Sequence, residues 1–163
     1  MVEPPVEITS RLVRELELIG DAVVREALAG RLIVPEYHLR AWDYGAAGEQ
    51  YPCWSVAKDE ASDSAIVFSE HGHGPHSPWG LVSMSQLWFG MDSGWFLHLE
   101  DAFVDSPMSS DLPIWNVVTS DGTVVQSSLR FNDAFELRDR LDVAQPRPVH
   151  HVVYRSRHPL GVP

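Results

Sequence analysis

Three histidines stand within six residues in the run Glu70-His-Gly-His-Gly-Pro-His76. Imidazole is a ready zinc ligand, and in an extended chain His71 and His73 project to the same side, as two ligands must. A structural zinc site needs four ligands, and a catalytic one needs three in a fixed shell. Here glycines and a proline surround the histidines, and no His-Glu-x-x-His pattern occurs. The run therefore reads as a solvated loop. A metal-dependent hydrolase built on His71, His73 and His76 is the alternative. Nucleophiles are scarcer. Ser93 in Met-Asp-Ser-Gly-Trp lacks the first glycine of a nucleophile elbow. Cys53, between Pro52 and Trp54, reads as a buried structural thiol. No glycine-rich phosphate loop is present. The expectation is a protein that is not an enzyme, with no catalytic residues and no cofactor.

Carboxylates are plentiful, but their spacing is not that of an acid/base pair. Asp59/Glu60 and Glu100/Asp101 are adjacent in sequence, and neighbours on a helix do not face one another. They read as solvated charge. Trp54, Trp79, Trp88, Trp95 and Trp115 lie in the same stretch of chain. Any of these exposed beside an acid would make an anchor for a protein partner.

The charge is distributed unevenly. The chain has 163 residues and a net charge of −11. Residues 41–129 hold twelve acids and one base, Lys58, so the whole excess falls in the middle of the sequence. Such a field repels phosphate backbones and speeds encounter with basic partners. Direct nucleic-acid binding is not expected. Solubility alone is the plainer explanation of the same acids.

These residues need a scaffold, and the length suits one domain over 1–163, with 1–7 and 159–163 as extended tails. A chain of this size can bury about 70% of the surface it exposes when unfolded. Cys53 is the sole cysteine, so no intrachain disulfide is possible. No secretory signal is visible, and no stretch reaches the roughly 18 apolar residues of a membrane span. A cytoplasmic protein without membrane contact is expected.

Ile8, Leu12, Leu16, Ile19, Val23 and Ala27 recur at steps of three and four, which predicts one long helix over 8–29 stopped by Gly30. Cys53–Ala57 and Ala65–Ser69 read as a hairpin across a polar link, and Trp79–Met84 as a further strand. Leu99, Ala102 and Phe103 share one side of a short helix within 95–104. Asp121-Gly122 predicts a tight hairpin turn between 114–119 and 123–129. Asn132 is placed to cap a helix over 133–142, and a last strand is expected over 149–155. The sum is an α+β fold with a mainly antiparallel sheet, a long N-terminal helix and shorter helices.

One group of segments resembles a known class of proteins: Gly74-Pro-His-Ser-Pro-Trp-Gly-Leu-Val82, Gly90-Met-Asp-Ser-Gly-Trp-Phe96, then Leu99-Glu-Asp-Ala-Phe103 and Ser106. It is similar to bacterial polymorphic-toxin immunity proteins, including those paired with contact-dependent growth inhibition toxins. The resemblance implies an inhibitor that binds one cognate toxin domain, often a nuclease, and blocks its active site. Taken with the charge, it puts a basic toxin domain against Asp59, Glu60, Asp63, Asp92, Trp95, Glu100, Asp101 and Asp105. A general adaptor role is the other binding alternative.

Overall fold

The protein is described here from a computed structural model covering residues 6–71, 76–90, 94–143, 145 and 147–155. Its fold is α+β, and among the described residues the paired strands run antiparallel, with one isolated parallel bridge between Ala41 and Trp88. Contacts divide the chain into two compact units, Met1–Met108 and Ser109–Pro163.

The first unit opens with α1 (Val6–Leu18) and α2 (Ala22–Ala29). The single helix expected over 8–29 is therefore two helices, and the first begins inside the expected 1–7 tail. The break has a local cause. Gly20 weakens the helix, and Asp21 caps a new one, its carboxylate accepting from the Val23 and Val24 amides at 3.0 and 3.4 Å. The break also rotates the apolar stripe. Leu12 and Ile19 are buried and Leu16 is half-buried, but Val23 is exposed, with Val24 and Leu28 inside instead.

A five-stranded sheet follows in simple order: β1 (Leu32–Arg40), β2 (Tyr51–Asp59), β3 (Ser64–Phe68), β4 (Trp79–Ser83) and β5 (Trp95–Phe96). Residues 53–57 of β2 and all of β3 are buried, so both faces of the sheet centre are covered. On one face Cys53, Ala65, Val67, Val82, Phe89 and Trp95 form a core cluster, flanked by Trp42, Tyr51 and Met84. Gly80 belongs to this face because a Cβ there would come within 2.8 Å of the Trp95 ring. Trp54 and Phe68 lie on the other face, beneath α1, where the Arg11 guanidinium sits 5.2 Å over the Phe68 ring. Helix α3 (Leu99–Val104) contacts α1, α2, β4 and β5, burying Leu99, Ala102 and Phe103 as their spacing predicts.

The second unit is a three-stranded sheet ordered β7-β6-β8, from β6 (Trp115–Thr119), β7 (Val124–Leu129) and β8 (His150–Tyr154), with α4 (Phe131–Asp142) against β6 and β8. The hairpin turns at Asp121-Gly122 as expected, with Gly122 at φ +85°. The Asp121 carboxylate accepts from the Thr119 hydroxyl and from the Thr123 amide, the latter at 3.0 Å. Asn132 does not cap α4. The helix starts earlier and Arg130 takes the capping position without a side-chain bond. Trp115 packs edge-on against Phe131 and Tyr154.

Candidate partner-binding surface

The acids singled out in the sequence fall on two elements of the first unit. Asp59, Glu60 and Asp63 surround the β2–β3 connection, which closes through one tight helical turn at Glu60–Ser62. Asp63 then adopts φ +51°, a left-handed conformation that aspartate tolerates better than most side chains. Its carboxylate is held from β4 and the residues after it. The Ser83 and Ser85 hydroxyls each donate at 2.6 Å, and the Ser85 amide donates at 2.9 Å. These donors pull the Asp63 carboxyl below its ordinary value, Ser83 contributing most. Asp59 in turn accepts from the Ser62 hydroxyl at 2.6 Å. The turn is thus an ordered acidic corner. Lys58, the one base in residues 41–129, is ion-paired to Glu36 on β1.

The second group is Glu100 and Asp101 on α3, with Asp105 directly after it. Acids in the first turn of a helix favour its positive end. The same end receives Glu15 from α1, whose buried carboxylate accepts from the Leu99 amide at 2.9 Å and lies 3.6 Å from His98 Nδ1.

The tryptophans are core side chains. Trp54, Trp79, Trp95 and Trp115 are at most 8% exposed, and Trp88 is half-buried. Trp95 stacks edge-on with Phe89 inside the core cluster, so its large apolar surface is spent on packing and it presents no anchor. Asp92, Ser93 and His73 lie outside the described residues. His71 is exposed and tilted against the Tyr51 ring at 5.5 Å, and His76 is exposed. Among the described residues, no group of three or more His, Cys, Asp or Glu side chains is placed to hold a metal ion. Cys53 is fully buried, and that burial pushes its thiol up to about 11. Among the described residues no helix is long and apolar enough to cross a membrane.

Three features had no signature in one dimension. Arg40 is buried, and one guanidinium nitrogen donates to the Ser83 and Trp88 carbonyls at 2.9 and 3.2 Å and also to Gln86. His150 Nδ1 and Asp142 Oδ1 meet at 2.6 Å, joining β8 to the end of α4. A cleft of about 930 Å³ opens between α1 and the β2–β3 side of the sheet. Comparison with family models, with curated proteins and with solved structures finds no significant match to this chain.

Proposed function

We propose that this chain is an immunity-type inhibitor that binds a basic toxin domain through its acidic middle segment. The observation that carries this reading is the β2–β3 corner. Asp59 and Asp63 are fixed there by short hydrogen bonds, Lys58 is already paired to Glu36, and Arg40, the other base near Asp63, is buried with its guanidinium turned to backbone carbonyls. A preordered acidic corner loses little side-chain freedom on meeting a cation, and its field raises the rate of encounter. The α3 acids Glu100, Asp101 and Asp105 offer a second place of the same sign. Nuclease toxin domains bind phosphate backbones and are commonly basic, so an acidic binder suits their substrate groove.

The test is co-expression with the C-terminal domain of an exported toxin encoded immediately beside this gene, followed by association kinetics against salt. Reversal of Asp59, Glu60 and Asp105 to lysine should slow association most at low salt, where screening is least, and should reduce cell survival. Glu17 and Glu26, both exposed on the helices, are the control reversals. Glu15 is unsuitable as a control because it holds the start of α3. A toxin bound equally well by the triple variant, or no toxin gene beside this one, would sink the proposal.

A further inference from the structure

The cleft beside α1 combines an apolar floor with two arginines that form no ion pair among the described residues. Ile8, Trp54 and Phe68 form the floor and are 4%, 8% and 7% exposed. Arg11 and Arg14 line the α1 wall, one helical turn apart. The opposite wall, Pro52 with Ser69–His71, is braced internally: the Ser69 hydroxyl donates to the Pro52 carbonyl at 2.9 Å and accepts from the His71 amide at 3.2 Å.

The cleft is also lined by Glu7, Glu15 and Glu70, so the arginines had acids at hand. Glu7 stands four residues before Arg11, the favourable order for a helical ion pair. Yet among the described residues neither arginine forms an ion pair. Arg11 lies across Phe68 instead, and Glu15 turns away to the Leu99 amide. A guanidinium laid on an aromatic ring keeps its in-plane donors available, and those donors match a planar carboxylate. The volume lies in the range of small-molecule sites.

We infer that this cleft binds a small aromatic carboxylate, its ring beside Ile8 and Trp54 and its charge between Arg14 and the Arg11 guanidinium that covers Phe68. The site stands apart from the acidic corner and does not depend on the toxin reading. The probe is 2-naphthylacetate, compared with the uncharged 2-naphthylacetamide by calorimetry and by amide chemical shifts on the full chain. The acid should bind saturably, with shifts gathered at residues 6–15, 52–54 and 68–71, and the amide about tenfold more weakly, as expected for loss of a charged hydrogen bond. Arg14→Gln, at an exposed position, should lose the preference for the acid in part, and Arg11→Gln/Arg14→Gln should abolish it. Arg31→Gln, exposed on the far side of α2 in sequence, should change nothing. Equal binding of acid and amide, shifts elsewhere, no saturable binding, or an unchanged preference in Arg14→Gln would each overturn the assignment.

Discussion

Individual side chains here matter through the partners they reach across the sequence. Glu15 falls between the apolar positions of α1, yet it is 9% exposed and satisfies an amide 84 residues away. Cutting it to alanine leaves the Leu99 amide at the helix start without that acceptor. Hydrogen bonds to charged groups contribute about 1.5–3 kcal/mol, so urea unfolding of Glu15→Ala should show a loss of that order, and Glu15→Gln a smaller one. Asp121 behaves differently because its partners are local. Its neighbours Thr119 and Thr123 depress its carboxyl from 3.8 to about 2. A carboxyl lowered on folding contributes stability that is complete above its unfolded value and lost as pH falls through the folded one. Urea midpoints of the wild type should therefore decline between pH 3.8 and about 2, and Asp121→Asn should flatten that part of the curve. An unchanged slope would mean the turn contacts do not persist in solution.

At the scale of elements, periodicity predicted most of what the chain builds. The β2–β3 hairpin, β4, the buried side of α3 and the Asp-Gly turn follow from short-range patterns that packing did not overrule. The failures have physical causes. The stripe from Ile8 to Ala27 is regular enough to suggest one helix, but an Asp that can accept two amides makes a restart at residue 22 cheaper than carrying Gly20 through. Strand β1 carries Pro35 in its middle, a residue that argues against a strand in sequence. The strand sits at the sheet edge with an irregular register between Leu32 and Glu36, where a missing amide costs little. The candidate site was less legible than the fold. The acids could be named from charge alone, but which are held, as Asp63 is by Ser83 and Ser85, depends on strand pairings. Which tryptophans are core is equally hidden: Trp95, a candidate anchor by sequence, is buried because Gly80 leaves room for its indole, and nothing in the sequence says so.

For the whole molecule, the division at Met108 gives the buried thiol a use. Cys53 is the only cysteine, lies wholly inside the first unit and holds its proton strongly. Thiol reagents attack the thiolate, so modification must wait for this sheet to come apart. The rate of labelling by a disulfide reagent under native conditions thus measures the opening of one unit, with no engineered probe. If that opening free energy equals the value from whole-chain denaturation, the two units melt as one cooperative body. If it is smaller, residues 109–163 outlast the sheet that carries Cys53, and a single unfolding free energy would not describe the chain.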